Sequence, residues 1–363
     1  MGSIPQNKAA YLDAPGAPLV VRDAPFPKPG AGKIVVRNAA IAINPVDWHM
    51  TDSGMFIKQW PAVLGCDVAG EVCETGPDVD LFKIGDRIIG HAITLWSGRP
   101  QDGAFQLYTI LSVDKAAQLP PSIAYTDGVV VPMALETAMC FLHFDRRNPL
   151  PDFLPGIYTP ALALPYPSLK DAVKPSAGKT IIIYGGSSSV GSMTTQLAAA
   201  SGLHVISIVG AKNFALSKES GATECIDHKD PSLVDRVVEA VRNSGGEFVG
   251  VIDAISIPDT IRVDLKILEQ LHGGHLGLTH PHMGEEVVPD NVEVGMVWSG
   301  GVNQITDLMW RAYVGAALSF GKIKCLPPPT IVGKGLEYVQ DALNLSKAGV
   351  SATKLVIELE GLR

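Results

Sequence analysis

The sequence predicts an α/β fold in which a doubly wound parallel-sheet domain is inserted into a mostly β, barrel-like domain. The chain's 363 residues exceed the usual size of one hydrophobic core, so two domains are expected. Short β-type runs fill residues 20–90, and apolar strands alternate with helical patterns from Thr180 onward. One helix and one strand remain near the carboxyl end.

The amino-terminal strands are short and closely spaced. Residues 33–37, 41–43, 68–72 and 86–90 are rich in apolar and β-branched side chains, and Gly, Pro and Asp separate them. This spacing is typical of a compact, mostly antiparallel barrel. We therefore predict a barrel-like first domain.

The second region alternates strands with helices. Residues 180–184 are an apolar run, and a glycine-rich turn and a helical pattern up to Gly202 follow it. Further runs at 204–209, 224–227 and 248–253 are separated by helical stripes. This alternation predicts a doubly wound βαβαβ unit.

The carboxyl-terminal segment holds a helical stripe of Leu336, Val339 and Leu343 and a strand at 354–357. A lone helix and strand cannot bury themselves, so they are expected to return to the first domain. The predicted boundaries are residues 1–137 and 322–363 for the barrel-like domain and 138–321 for the parallel-sheet domain.

A proline-rich stretch, residues 148–178, interrupts the entry into the parallel-sheet domain. It is long for a connection in a compact domain, and such connections are often functional. We predict an insertion that either packs on the surface or helps to shape a pocket.

Composition excludes several classes of protein. The net charge of −8 and the lack of long basic runs oppose a nucleic-acid partner. No apolar run reaches the 18 to 20 residues or so that a membrane helix needs, and the amino terminus lacks a signal-peptide pattern, so a cytoplasmic protein without membrane contact is expected. The five cysteines form no Cys-x-x-Cys pair and are interpreted as free thiols.

The turn after residue 184 predicts a nucleotide site. Backbone N–H groups and the positive end of a helix dipole bind a pyrophosphate at such a strand–turn–helix junction. Gly186 and Gly191 match two glycines of the G-x-G-x-x-G pattern, while Ser188 stands at its middle glycine. The surrounding βαβ unit favours nucleotide binding over a merely structural turn.

The end of the second strand favours NADPH over NADH. An acid there would bind the ribose 2′-hydroxyl and repel a 2′-phosphate. Residues 209–213 contain no acid and one lysine, Lys212. The alternative is that Lys212 is an ordinary solvated lysine.

The motifs at 44–47, 64–70, 84–87, 103–105, 184–191 and 354–356 together resemble the quinone-reductase and enoyl-reductase branch of the medium-chain dehydrogenase/reductase superfamily. Residues 211–214 and the proline-rich insertion are similar to fungal trans-acting enoyl reductases of polyketide biosynthesis, of the lovastatin type. The resemblance implies a Rossmann domain that binds NADPH, inserted into a GroES-like substrate domain.

Zinc members of the superfamily carry Cys where this chain has Asn44, and His-Glu where it has Cys66-Asp67. Asparagine is a poor zinc ligand, and a catalytic zinc needs about three protein ligands. We therefore predict that the chain holds no metal. A replacement set drawn from His49, His91, His143 and Cys66 is the alternative.

The resemblance also implies site residues. His49 and Thr137 are the candidate catalytic residues beside the nicotinamide in the interdomain cleft. His49 replaces a lysine of the lovastatin type, and it is expected to donate a hydrogen bond or a proton to the substrate, or to be structural. His228 stands where the family has a tyrosine near the adenine. The implied cofactor contacts are Pro45, Asp47, Gly186, Ser187, Ser188, Ser189, Val190, Gly210, Lys212, Asn213, His228, Leu278, Thr279, Val350 and Ser351.

A reductase without a metal is suited to conjugate reduction, because hydrogen-bond donors can stabilise the enolate that forms. The leading hypothesis is an NADPH-dependent reductase of small or carrier-bound enoyl or enone substrates, working with a polyketide synthase in fungal secondary metabolism. The alternatives are a free-standing quinone or enone oxidoreductase and a non-catalytic NADPH-binding sensor or partner protein. The resemblance leaves monomer and homodimer both open.

Overall fold

The computed structural model describes residues 6–144, 148–149, 158–159, 162–282, 284, 286–299 and 304–359. The chain divides into two compact units, which are described separately. The barrel-like unit comprises Met1–Met133, Gly300–Gly321 and Pro328–Arg363, and the parallel-sheet unit comprises Ala134–Ser299 and Lys322–Pro327.

The strands, in chain order, are β1 (Asn7–Leu12), β2 (Val20–Ala24), β3 (Lys33–Ala42), β4 (Ala62–Val63), β5 (Asp67–Thr75), β6 (Arg87–His91), β7 (Tyr108–Ser112), β8 (Ala116–Gln118), β9 (Asn148–Pro149), β10 (Tyr158–Thr159), β11 (Lys179–Tyr184), β12 (His204–Ile208), β13 (Glu224–Ile226), β14 (Glu247–Asp253), β15 (Gly274–Leu278), β16 (Val292–Met296), β17 (Pro329–Lys334) and β18 (Lys354–Glu358).

The α-helices, in chain order, are α1 (Pro45–Ser53), α2 (Thr94–Ser97), α3 (Tyr125–Gly128), α4 (Pro132–His143), α5 (Ser189–Ser201), α6 (Phe214–Glu219), α7 (Leu233–Ser244), α8 (Pro258–Gln270), α9 (Gln304–Met309), α10 (Gly315–Ser319) and α11 (Val339–Ala348). Among the described residues, no helix has both the length and the apolar character that a membrane crossing requires.

The barrel-like unit is mostly antiparallel. One sheet has the order β17-β18-β3-β5-β6-β8, with β7 also paired to β3, and a smaller sheet has the order β2-β1-β4. Its core includes Ile34, Val36, Ile41, Val68 and Ile88, all fully buried. The predicted barrel-like, mostly β domain is confirmed.

Strand β3 differs from its sequence-based prediction. The runs at 33–37 and 41–43 join into one ten-residue strand, whose register against β5 shifts between Asn38 and Ala40. The Asn38 side chain is buried and donates to the Gln106 carbonyl at 2.7 Å and to Thr109 Oγ1 at 2.8 Å. The side-chain nitrogen of a polar residue between the two predicted runs is therefore satisfied inside one continuous strand.

The parallel-sheet unit has the strand order β13-β12-β11-β14-β15-β16, and every neighbouring pair is parallel. This order is that of a doubly wound sheet, so the predicted Rossmann domain is confirmed. The carboxyl ends of parallel strands lie at one edge of the sheet, and here they are Tyr184, Ile208, Asp253 and Leu278.

The carboxyl-terminal strand β18 pairs antiparallel with β3, so the parallel-sheet unit is an insertion, as predicted. The structure groups residues 300–321 with the barrel-like unit, whereas the sequence assigned them to the other domain. Inside that unit the buried Lys115 Nζ donates to Thr306 Oγ1 at 2.7 Å, a contact between distant residues that no local pattern reveals.

The proline-rich stretch 148–178 is described only in part, since 150–157 and 160–161 lie outside the described residues. Leu164 N donates to the Leu142 carbonyl at 2.9 Å, next to the end of α4. A role for this stretch in a pocket stays a prediction.

Candidate cofactor and catalytic site

The glycine-rich turn joins β11 to α5 and is closely packed. A Cβ added to Gly191 would lie 2.2 Å from the Gly185 carbonyl oxygen, and one added to Gly186 would lie 1.9 Å from Ser207 Oγ. Real Cβ atoms do not approach other atoms so closely, so both positions require glycine. The turn and the first turn of α5 are thereby held in contact.

Ser188 explains the departure from the glycine pattern. It is the N-cap of α5, with φ −74°, and its hydroxyl accepts a hydrogen bond from Gly191 N at 3.1 Å. A residue with this φ does not need to be glycine, and serine is a preferred N-cap. Ser189 and Val190 begin the helix and are half-buried.

The loop after β12 lies beside this turn. Asn213 Nδ2 donates to Ser187 Oγ at 3.1 Å, and a Cβ on Gly210 would lie 3.2 Å from the His228 ring. Lys212 is exposed. The structure thus brings the predicted residues of the turn, of the loop 210–213 and His228 together at one edge of the sheet.

Leu278 and Thr279 lie at the same edge, at the end of β15. Thr279 N donates to Ser256 Oγ at 2.8 Å, and the two hydroxyls are 3.1 Å apart. Thr137, on α4, is buried in this unit, and its hydroxyl is 3.2 Å from Ser299 Oγ. Placement of these residues against a cofactor stays a prediction.

In the barrel-like unit, α1 carries three predicted residues. Pro45 is its first residue, and the Asp47 carboxylate accepts from the Asn44 N–H at 2.8 Å, closing a capping box. Asp47 is fully buried and so fixes the start of its own helix. The His49 ring is half-buried and stacks on Trp48, with 3.5 Å between ring centroids.

Val350 and Ser351 are exposed and follow α11, which packs against α1. Lys347, in the last turn of α11, pairs with Asp52 of α1 at 2.6 Å, and its ammonium lies 5.9 Å from the Trp48 ring centroid. Helix α11 is thereby held beside the helix that bears His49.

A buried polar network joins α1, β5 and β18. Lys354 Nζ donates to Asn44 Oδ1 at 2.5 Å and pairs with Asp67 Oδ2 at 2.9 Å, and Asn44 Nδ2 donates to Asp67 at 2.9 Å. Asp67 Oδ1 accepts from Met133 N at 2.7 Å. The Lys354 and Asp67 side chains are only 4% and 0% exposed, so the pair is shielded from water.

Two family models match the chain. Residues 30–121 match the alcohol dehydrogenase GroES-like domain, and residues 189–292 match zinc-binding dehydrogenase. A dehydrogenase of Emericella nidulans, orsE, is 59% identical over 97% of this chain and 99% of its own length. The chain belongs to the medium-chain dehydrogenase/reductase superfamily. An oxidoreductase with a nicotinamide cofactor follows from this membership.

Other medium-chain enzymes extend the comparison. The trans-enoyl reductase himH of Aspergillus japonicus is 36% identical over 90% of both chains. The crystal structure of an alcohol dehydrogenase superfamily protein from Novosphingobium aromaticivorans, at 20% identity, covers 98% of this chain and 100% of its own with a TM-score of 0.74. At 20% identity, the similarity to the Novosphingobium structure establishes the fold alone.

The zinc that the second family model implies does not fit the residues present. By the family resemblance, Asn44 stands where zinc members carry Cys and Asp67 where they carry the Glu of a His-Glu pair, and both are bonded to the Lys354 ammonium. A divalent ion there would lie next to a buried like charge, and asparagine is a weak zinc ligand. Within the described ranges, no group of three or more His, Cys, Asp or Glu side chains could hold a metal ion.

The alternative set, His49, His91, His143 and Cys66, forms no metal-holding group of three or more within the described ranges. The His143 Nδ1 lies 3.0 Å from the Leu164 carbonyl oxygen, and burial lowers the pKa of His143 to about 4.

Asp47, whose carboxyl group caps α1 beside the buried polar network, has a raised pKa. Burial raises its pKa to about 7, and the Asp67 carboxylate adds to the rise, while N–H groups of Asn44 and Gly65 and the Lys354 ammonium oppose it. The protonation of the α1 cap is therefore poised near neutral pH.

The pairing of Asp67 with Lys354 was not found from the sequence, and Asp253 was not singled out. Asp67 and Lys354 lie within the quoted motifs, but their pairing is a tertiary contact without a local signal. Asp253, an acid at the end of an apolar strand, was visible in the sequence and was not singled out.

Proposed function

We propose that the chain is a zinc-independent, NADPH-dependent reductase that transfers hydride to an activated C=C bond of an enoyl thioester or enone. The substrate would be a small molecule or a chain held on a carrier protein of a polyketide synthase in fungal secondary metabolism. The observation that carries the proposal is the Lys354 ammonium bonded to Asn44 and Asp67, which by the family resemblance stand where zinc members carry Cys and the Glu of a His-Glu pair. The relative named trans-enoyl reductase supports it.

The proposed reaction is one that needs no Lewis acid. In conjugate reduction the hydride adds to the β-carbon, and negative charge moves to the carbonyl oxygen, where one or two hydrogen-bond donors can stabilise it. The nicotinamide, when bound, supplies the hydride. The protein has to orient the substrate, donate to its oxygen and let a proton reach the α-carbon.

His49 is the proposed donor to the carbonyl oxygen. Its ring is held by the stack on Trp48, and α1 is fixed by the capping box and by the network that includes Asn44. A neutral imidazole can donate a hydrogen bond through its N–H, and a protonated imidazole can also donate a proton. Solvent is the other proton source that this account allows.

The glycine-rich turn and Lys212 would hold the cofactor. The first turn of α5 offers N–H groups and the positive end of a thirteen-residue helix to the pyrophosphate. The exposed Lys212, in a loop without acids, suits the 2′-phosphate of NADPH.

Substituting Lys212→Ala should weaken NADPH binding about tenfold and leave NADH binding unchanged, because an exposed charge-assisted hydrogen bond contributes roughly 1.5 kcal/mol. Dissociation constants from cofactor fluorescence would measure this. Lys218→Ala, also exposed and in the last turn of α6, is the matched control and should bind NADPH as the parent chain does. Equal losses of NADPH and NADH affinity in the Lys212 variant would refute the 2′-phosphate contact.

The acceptor is tested by the loss of NADPH absorbance with a panel of enoyl thioesters, on pantetheine and on a carrier protein, against a panel of quinones. The proposal expects turnover of the thioesters, with the quinones slower. Turnover of quinones alone would establish a quinone oxidoreductase instead. Tight NADPH binding without turnover of any acceptor would establish a cofactor-binding protein.

A further inference from the structure

We propose that Asp253 is a positioning residue for the cofactor, which holds the turn at residues 254–257 and, through Ser256, the Thr279 N–H at the edge of the parallel sheet. The inference rests on the proposed function, because the glycine-rich turn and Thr279 are the predicted cofactor contacts. In this proposal Asp253 contacts neither cofactor nor substrate and acts through the turn at residues 254–257.

The Asp253 carboxylate accepts hydrogen bonds from the turn that follows it and from the start of α8. The residue ends β14 and is fully buried. Its Oδ1 accepts from Ile255 N at 2.8 Å and from Ser256 N at 2.9 Å, both in the turn, and its Oδ2 accepts from Thr260 Oγ1 of α8 at 2.5 Å. A buried carboxylate bound by these three donors fixes the turn against the first turn of α8.

The fixed turn touches two neighbouring strand ends. The Ile255 side chain lies against the glycine-rich turn, since a Cβ on Gly185 would be 2.6 Å from Ile255 Cγ1. Ser256 Oγ donates to the Asp253 carbonyl at 2.7 Å and accepts from Thr279 N at 2.8 Å. Asp253 is therefore linked to the ends of β11 and β15 at once.

Ser256 supports this role through its backbone. Its φ is 54°, in the left-handed region that a non-glycine residue seldom adopts. Such a conformation persists where surrounding contacts determine it. Here its N–H, bonded to Asp253, and its hydroxyl, shared with Thr279, provide those contacts.

A second buried carboxyl completes the arrangement. Asp264, on α8, is fully buried, and burial, together with the neighbouring Asp253 carboxylate, raises its pKa well above the ordinary range. Two charged carboxylates buried side by side would repel each other, so the proton on Asp264 removes a repulsion that would otherwise act on the Asp253 turn.

Other titratable groups face the pair from each adjoining element. Tyr184, at the end of β11, has its pKa raised to about 12 by burial and by Asp264, Asp253 and Asp259. His280, after β15, has its pKa lowered by burial, with Asp253 opposing. Asp259, at the start of α8, is paired with Arg262 on the surface.

The sign of the pH dependence follows from the raised pKa of Asp264. Because its folded-state pKa lies above its unfolded value, the stability linked to its proton is present at acid pH and declines as the pH rises. Asp264→Asn is neutral at every pH and cannot repel the Asp253 carboxylate. Its melting temperature should therefore exceed that of the parent chain by a margin that grows from about pH 5 to about pH 9.

The test measures the dissociation constant of NADPH for the full chain by cofactor fluorescence, across the same pH range. Asp253→Asn should raise the dissociation constant at least ~10-fold at neutral pH, because the amide replaces one acceptor oxygen by a donor. Ser256→Ala should raise it by a smaller factor, roughly threefold, by removing only the link to Thr279. Asp259→Asn, on the surface, is the control and should bind as the parent chain does.

The affinity of the parent chain should fall as the pH rises, and Asp264→Asn should abolish that fall. Parent-like affinity in folded Asp253→Asn or in Ser256→Ala, or an unchanged alkaline fall in Asp264→Asn, would overturn the inference and leave the proposed function intact. Failure of the parent chain to bind either nicotinamide nucleotide would overturn both.

Discussion

Replacing Lys354 by methionine should lower the free energy of unfolding by about 3–5 kcal/mol, because the Asp67 carboxylate would remain buried without its cation. Asn44 would also lose the donor to its carbonyl oxygen. Methionine has a similar length, so the loss would report the charge more than the packing. Chemical denaturation followed by circular dichroism measures it.

Lys347→Met is the matched control for that change. Lys347 also pairs with an aspartate, Asp52, but the two side chains are 54% and 43% exposed. Exposed pairs contribute little, so a loss below ~1 kcal/mol is expected. The double variant Lys354→Met/Asp67→Asn should recover part of the stability that the single variant loses. Losses of equal size in the two lysine variants would show that the buried network is not a stabilising unit.

Replacing Gly191 by alanine should weaken NADPH binding by about tenfold to 100-fold, because the added Cβ would lie 2.2 Å from the Gly185 carbonyl oxygen. The carbonyl belongs to the turn itself, so relief of the clash must move the turn away from α5. Overpacking of this kind costs roughly 1–3 kcal/mol, which corresponds to that range of affinity. Cofactor fluorescence titration gives the dissociation constant.

Gly30→Ala is the control for the glycine change, since no atom lies within 4 Å of a Cβ at Gly30. It should leave binding and stability unchanged. A folded Gly191→Ala variant with the affinity of the parent chain would mean that the cofactor does not rest on this turn.

The apolar runs of the sequence predict β11 to β14 of the parallel sheet to within about one residue, whereas no bounds were predicted for β15 and β16. The run at 180–184 is β11, Lys179–Tyr184, and the run at 204–209 is β12, His204–Ile208. Fully buried strands are apolar along their whole length, so their pattern is local and readable. The same logic failed at Asn38, where a buried polar side chain interrupts the apolar pattern of a strand that is itself continuous.

The sequence does not reveal contacts between distant residues. The family resemblance marks Asn44 and Cys66-Asp67 as departures from the zinc members, but it does not show that Lys354 bonds to Asn44 and Asp67. The placement of residues 300–321 with the barrel-like unit likewise depends on tertiary contacts such as that of Lys115 with Thr306. Ser188 was interpreted only as a departure from the glycine pattern, although serine is a preferred N-cap residue and its hydroxyl caps α5.

The central claim, hydride transfer to the β-carbon of an activated alkene, is tested most directly with NADPH deuterated at C4 of the nicotinamide. The protein would be supplied with an enoyl thioester, and the product analysed by mass spectrometry and NMR. The account predicts a saturated thioester with deuterium at the β-carbon and a solvent-derived proton at the α-carbon. Deuterium at the carbonyl carbon of an alcohol product, or no transfer to any enoyl or enone acceptor, would contradict it.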